Sequence, residues 1–303
     1  MNDASFLWVP FTLAAAMAQV FRNALQSRLS ARIGTIGGTQ VRFVYGLPVA
    51  AILLAIYLAL VPSRLPALPA HALAWSFAGS VTQIVATALM LVVMGKRDFG
   101  VAYAYIKTEP VTVALLGFVL IGDRLPWLGW IAVLVVTVGV VMASLRAGDD
   151  AAKLAEWKPL AVGVASGALF GLTTICFRAS IDSVPQGTFM MRSLVMLVVS
   201  LAIQTATLVV WFVVKDAQGF WGSLREWRLS VAAGALGALA SAGWFISVSL
   251  TIAANVRTLA LIEMPVVALV SRYVSGRWLT AREWAGFVLI TLGVALLMFA
   301  YAA

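Results

Sequence analysis

The sequence predicts an all-α integral membrane protein of ten transmembrane helices built from two inverted five-helix repeats. Three observations lead there. The 303 residues are 62% hydrophobic and only 11% charged, and apolar segments repeatedly reach the roughly 20 residues needed to cross about 30 Å of hydrocarbon. The longest polar stretch between these segments, Arg146 to Lys158, falls near the middle of the chain. Finally, Glu109, Ala114, Leu115, Gly122, Leu125, Trp130, Gly139 and Val140 recur 154 residues later as Glu263, Ala268, Leu269, Gly276, Leu279, Trp284, Gly293 and Val294. Self-similarity at a fixed period marks a duplicated unit, and five spans per unit, an odd number, force consecutive copies into opposite orientations.

The spans follow in order. The first, 6–27, carries Gln19, Asn23 and Gln26 at intervals of four and three, a polar stripe on one helix face. It follows Asp3 rather than a basic segment, so it reads as a retained span and not a cleaved leader. The second, 38–61, contains Arg42; the third, 72–94, contains Gln83. The fourth, 99–121, holds Tyr103, Lys107, Glu109 and Pro110, and the fifth runs over 127–145. Residues 1–148 thus form the first repeat, 149–158 the linker and 159–303 the second repeat.

In the second repeat, span 159–180 repeats Gly163, Gly167 and Gly171 every four residues, a stripe that permits close helix approach. Span 187–213 contains Arg192, which matches Arg42 in position; Phe177-Arg178 likewise matches Phe21-Arg22. Span 230–250 includes Gly234, Gly237 and Ala238 and the stripe Ser241, Trp244, Ser247, continued by Thr251. Span 254–275 carries Asn255, Arg257, Glu263 and Pro265, and span 283–301 closes the chain.

The net charge of +9 would suit nucleic acid, but the basic residues are scattered over short connections and form no stripe. No nucleic-acid partner is expected. Lys and Arg crowd into alternate connections, from Arg28 and Arg32 through Lys96, Lys153 and Arg225 to Arg277 and Arg282, whereas the opposite connections hold little beyond Arg64 and Arg124. The positive-inside rule then places both termini outside, with anionic lipid as a partner of the basic connections. One cysteine, Cys176, and one histidine, His71, leave no disulfide framework, metal cluster or histidine-based catalytic set. No Walker-type glycine loop is present. No cofactor, metal or enzymatic activity is expected, and any drive should come from a proton or ion gradient or from the substrate's own gradient.

The candidate substrate-binding or gating residues are the charged and polar groups inside spans. An ionised carboxylate is costly in hydrocarbon and needs a partner, a polar cavity or a proton, which singles out Glu109 and Glu263. Pro110 and Pro265 follow them closely; each removes a backbone donor and disfavours helix in the preceding residue, leaving carbonyls free nearby. Lys107 lies nearly opposite Glu109 on a helix and should not pair with it, but it shares a face with Tyr103, four residues earlier. Arg42 and Arg192 present rigid donor forks suited equally to a substrate anion or to an interhelical salt bridge. Gln19, Asn23, Gln83, Trp244 and Asn255 complete the set. Each of these residues has a bland alternative, as packing ion pair, snorkelling cation or interhelical hydrogen bond.

Lys107-Thr-Glu-Pro-Val111, followed by Gly117, Gly122-Asp123-Arg124-Leu125 and the helix from Gly129 to Gly139, resembles the end of the repeated five-helix domain of the drug/metabolite transporter superfamily, EamA-like branch. Leu261-Ile-Glu-Met-Pro265 with Gly276-Arg277-Trp278-Leu279 resembles the same segment of the second domain. The resemblance covers essentially the whole chain. It implies a carrier of the bacterial inner membrane that exports small amphipathic metabolites, amino acids first, with aromatic amino-acid exporters as the nearest comparison. The family pattern places Glu after Gly before each domain's last helix, where this chain has Asp123 and Arg277. The family is described with cytoplasmic termini, the reverse of the loop charges here. Paired repeats make one subunit sufficient for transport. The competing reading from another class is a non-transporting membrane scaffold whose acids are packing ion pairs.

Overall fold

The computed structural model describes residues 6–96, 99–107, 109–144, 157–215, 217–264, 266–267 and 280–302, and among these it is helical throughout, without strands. In chain order the helices are α1 (Trp8–Val44), α2 (Gly46–Leu60), α3 (Ala70–Lys96), α4 (Phe99–Ile106), α5 (Glu109–Ile121), α6 (Trp127–Ser144), α7 (Trp157–Asp182), α8 (Phe189–Lys215), α9 (Ala217–Arg225), α10 (Trp227–Leu250), α11 (Ala253–Ala260) and α12 (Ala281–Ala302). Five stretches are long and apolar enough to cross a membrane: Trp8–Leu60, Ala70–Lys96, Lys158–Asp182, Phe189–Phe212 and Trp227–Leu250. Glu109–Ile121, Trp127–Gly139 and Trp284–Leu297 are shorter apolar helices. The outer surface is apolar as well. Leu60, Val119 and Phe299 are exposed, and Trp127, Trp227 and Trp284 stand exposed at or near the first turns of their helices, where amphipathic rings suit a membrane interface.

The first two expected spans are joined differently from the sequence reading. Helix geometry runs through the expected connection, residues 28–37, and is interrupted only at Gly34, which adopts φ 79° and ψ 165°. The chain reverses there. Gln26 Nε2 donates to the Gly38 carbonyl at 3.0 Å, whereas twelve residues of straight helix would separate these positions by about 18 Å. Arg22 and Arg42 consequently lie side by side against Gly237. A second, milder break at Tyr45 separates α1 from α2; it sits three residues before Pro48, whose ring removes one helical donor and crowds the carbonyl of Val44, four residues back.

The expected fourth and ninth spans are also interrupted. The fourth divides into α4 and α5, with Lys107 in a turn between them. Pro110 explains this, because it cannot donate to the Ile106 carbonyl and it disfavours helical continuation through the residue before it. The ninth begins as α11 and tightens into a 3₁₀ turn over Leu261–Glu263. Pro265 and residues 268–279, with Gly276 and Arg277 among them, lie outside the described residues, as does most of the linker at 149–158. The short helix α9 lies within a connection that the sequence reading left without structure.

Polar hooks and small residues fasten helices that are distant in sequence. The first arm of α1 packs on α10, where a side chain at Gly243 would begin 2.9 Å from the Phe11 carbonyl and Thr12 Oγ1 donates to Ser247 Oγ at 3.1 Å. α3 packs on α7 through Ser166 to the Ala86 carbonyl and Ser180 to the Ala72 carbonyl, each 2.8 Å. α6 packs on α12 with Gly139 against the backbone of Gly286 and Ile290. The Gly163, Gly167 and Gly171 stripe of α7 receives Tyr105, the Ile106 carbonyl and Thr112–Val113 in turn. It therefore holds the broken α4–α5 junction against the bundle.

Replacing Gly34 tests the reversal. Its backbone conformation is essentially restricted to glycine, yet nothing lies within 4 Å of a side chain built there. Gly34→Ala should therefore destabilise by about 1–3 kcal/mol through backbone strain alone, seen as a lower melting temperature in detergent; an unchanged melt would show that the turn has another conformation available.

Candidate functional site

The breaks described above aim six charged side chains inward. Arg22, Arg42, Lys107, Glu109, Arg257 and Glu263 are the buried charged residues among those described, none more than 9% exposed. Five of them line one cavity together with Gln19, Asn23, Gln83, Met90, Tyr103, Ile106, Phe170 and Trp244, and Glu263 adjoins it through its partners. The cavity measures about 20 Å³, room for about one water molecule. In this conformation the site is closed around itself.

Two chains of polar contacts run through it. In one, Arg22 Nε and Nη2 donate to Asn23 Oδ1 at 3.1 and 2.7 Å, and Asn23 Nδ2 donates to the Tyr103 hydroxyl at 3.3 Å. Tyr103 donates onward to Glu263 Oε1 at 3.0 Å, and Lys107 Nζ lies 2.5 Å from the same oxygen. In the other, Trp244 Nε1 donates to Gln19 Oε1 at 3.1 Å, while the Arg257 guanidinium stacks 4.6 Å from the centre of the Trp244 ring. Arg257 Nε lies 3.0 Å from Glu109 Oε1, and its Nε and Nη2 also donate to Thr174 Oγ1 at 3.0 and 2.7 Å.

The ion pairs cross. Glu109 is met by Arg257 from α11, and Glu263 by Lys107 and Tyr103 from the α4–α5 region. Tyr103 and Arg257 are themselves 154 residues apart, the spacing that relates Glu109 to Glu263. Lys107 and Glu109 take separate partners, as their opposite placement on a helix predicts. The ledger of charge does not balance: four cations face two carboxylates. Among the described residues neither Arg22 nor Arg42 has a carboxylate partner; Arg42 Nη1 donates to Thr87 Oγ1 at 3.5 Å and its guanidinium lies 5.5 Å from the centre of the Phe43 ring, while Arg22 Nη1 and Arg42 Nε make no hydrogen bond.

Most of the sequence-predicted residues meet here: Gln19, Asn23, Arg42, Gln83, Tyr103, Lys107, Glu109 and Trp244 on the cavity wall, with Glu263 behind. Gln83 is held by Gln204 Nε2 at 2.6 Å. Gln26, on the same stripe of α1, fastens the helical reversal instead. Arg192 does not join the site. It lies beside Gly187 at the turn leading into α8, away from Arg42 despite the matching position. Asn255 lines a different cavity of about 260 Å³, with Arg124, Pro126 and Thr251, and its Nδ2 donates to Thr251 Oγ1 at 3.1 Å. Asp123 pairs with Arg178.

Two site residues were not in the predicted set, and both had a signal. Arg22 falls three residues after Gln19 and four before Gln26, on the polar stripe itself. Arg257 stands at the repeat equivalent of Tyr103. Thr174, by contrast, reaches Arg257 only through tertiary packing. Among the described residues no group of His, Cys, Asp and Glu is placed to hold a metal ion.

No family model matches the chain, and no curated protein does. A solved structure described only as "Crystal structure of protein" superposes with a TM-score of 0.66 at 17% identity, covering 96% of this chain and 96% of that one. At that identity the likeness shows a shared fold and nothing more.

The charge surplus makes the two members of an ion pair unequal. Glu263→Gln leaves the cations less balanced and should cost about 3–5 kcal/mol, the usual result of breaking a buried pair. Lys107→Met should cost less, and the double variant should fall below Glu263→Gln in cost. Denaturation of the four proteins in detergent checks the order; equal single losses would contradict it.

Proposed function

We propose that this chain is a secondary transporter of small polar metabolites, working by alternating access around the central site. The supporting observation is the crossed pair of buried ion pairs at the small central cavity, whose two acids are related through the 154-residue repeat. Intramembrane charges are expensive and mark substrate or ion pathways, and transporters built from inverted repeats place their site at the repeat interface near mid-membrane, on interrupted helices. The interruptions at Lys107 and at Leu261–Glu263 supply that irregular backbone here.

In this reading the first five spans and the last five are duplicated units, and residues 149–158 join them. The helix partnerships favour it: α1 with α10 and α3 with α7 become the same pairing once the halves are exchanged, while α6 with α12 maps onto itself. The EamA-like resemblance and the bacterial inner membrane belong to the same proposal, as do export, proton or ion coupling, and function as a single subunit. The smooth contacts at Gly139, Gly167 and Gly243 bring backbones close without interlocking side chains, which suits one bundle rocking against another. Opening between them would convert a one-water cavity into a binding site, with Glu109–Arg257 and Glu263–Lys107 exchanging partners as substrate enters.

The test is counterflow in proteoliposomes with a labelled amino-acid and metabolite panel, with and without a pH gradient and unlabelled competitors. Saturable, competed flux is expected, and Glu109→Gln should reduce it at least about tenfold, the effect of roughly 1.4 kcal/mol. Replacing Glu226, whose partner Arg32 is exposed, should leave flux nearly unchanged, since such surface pairs contribute little. Folded protein that moves nothing across this panel would refute the transporter and support a scaffold.

A further inference from the structure

We propose that the central site takes a small organic dianion, a dicarboxylate or a phosphate monoester, whose two negative charges are met by Arg22 and Arg42. The inference rests on the transporter reading and narrows its substrate class. It starts from the charge imbalance. Two of the four buried cations, Lys107 and Arg257, neutralise Glu263 and Glu109, and the two that remain line the same cavity. Arg22 and Arg42 are 1% and 3% exposed, and each keeps one N–H without a hydrogen-bond partner. Guanidinium stays protonated at any physiological pH, so a shift of pKa does not remove this charge.

Arginines held so are costly to the fold. A buried cation without a counter-charge destabilises, and packing alone would be served better by an apolar side chain. The helical reversal at Gly34 brings the side-chain stems of both arginines against Gly237, through Cγ of Arg42 and Cδ of Arg22, and both side chains line the same cavity. Nor is this placement a by-product of duplication. The counterparts matched to them in sequence are placed elsewhere, Arg178 against Asp123 and Arg192 beside Gly187. Only the first-half arginines line the central cavity, as a specialised substrate subsite requires.

Guanidinium forks bind carboxylate and phosphate oxygens in charge-assisted, bidentate geometry. Gln19, Asn23 and Gln83 add neutral polar groups around the same space. The larger cavity at Asn255, two residues along α11 from Arg257, carries Arg124 on its wall.

The experiment is exchange in proteoliposomes loaded with succinate or with glycerol 3-phosphate, using labelled succinate, labelled glycerol 3-phosphate and labelled leucine outside. Saturable exchange of either dianion, at least tenfold above leucine, is expected, and which of the two is faster separates dicarboxylate from phosphate chemistry. Arg22→Gln and Arg42→Gln should each weaken exchange by about tenfold to a hundredfold, as loss of a charge-assisted hydrogen bond does. Their melting temperatures in detergent should hold or rise, because an unneutralised buried charge has gone; a structural role predicts the opposite. In wild-type protein glycerol 3-phosphate or succinate should raise the melting temperature at constant ionic strength, where leucine does not. Saturable leucine flux without competition from either dianion would overturn the anion inference and leave the transporter intact. No saturable flux or thermal stabilisation with any probe would overturn both.

Discussion

Two carboxylates inside an apolar bundle need counter-charges, and this fold obtains them from the opposite half of the chain. Glu109 with Arg257 and Glu263 with Lys107 are nearly fully buried, in surroundings where an isolated ion would lose several kcal/mol of hydration. The arrangement ties α5 to α11 and the turn at Lys107 to the 3₁₀ turn at Glu263. Tyr103, Asn23 and Arg22 extend one pair toward α1, and Trp244 with Gln19 extends the other. Elements from across the whole chain therefore converge on one region, and the position of every helix around it is constrained by the same electrostatic demand.

Irregular backbone is what makes the convergence possible. An unbroken helix would carry Lys107 and Glu109 past one another on opposite faces, with one of them turned away from the centre. The break imposed by Pro110 frees the turn, and the glycine stripe of α7 accepts it at close range, with the Ile106 carbonyl above Gly167. Gly34 performs the corresponding service for α1 by turning residues 22 and 42 to the same wall. Each interruption gives up local helical hydrogen bonding, which in a membrane must be compensated by neighbouring helices and side chains. Serine hooks to carbonyls of neighbouring helices across α3, α7, α8 and α10 fasten the unbroken helices around these interruptions.

Much of the site was readable from residue type and period. The stripe on the first span, the paired Glu residues and the inward Trp244 are all where their spacing points. Arg22 was hidden in plain view on that stripe, because a cation five residues from a span's end is as well placed to snorkel as to face a cavity until its depth is known. Arg42 and Arg192 show the limit of equivalence by sequence. Their matching positions carry no information about burial, and packing sends one to the cavity and the other to a turn. The turn between the first two spans falls within residues 28–37 as expected, but the persistence of helix almost to its tip at Gly34 was not legible, since those residues have the composition of a polar connection.

By itself the sequence determined the apolar helical character of the chain, its 154-residue internal likeness, the absence of metal-binding and phosphate-loop motifs, and which acids and prolines would matter. Those features depend on composition and on the period of side chains along a helix, both local properties. Tertiary structure alone decided which cation neutralises which acid, that two arginines are left over, and that the cavity between them is closed. Those outcomes depend on distances between residues 20 to 160 positions apart, and the energy of a charge in hydrocarbon is set by its neighbours in space rather than along the chain.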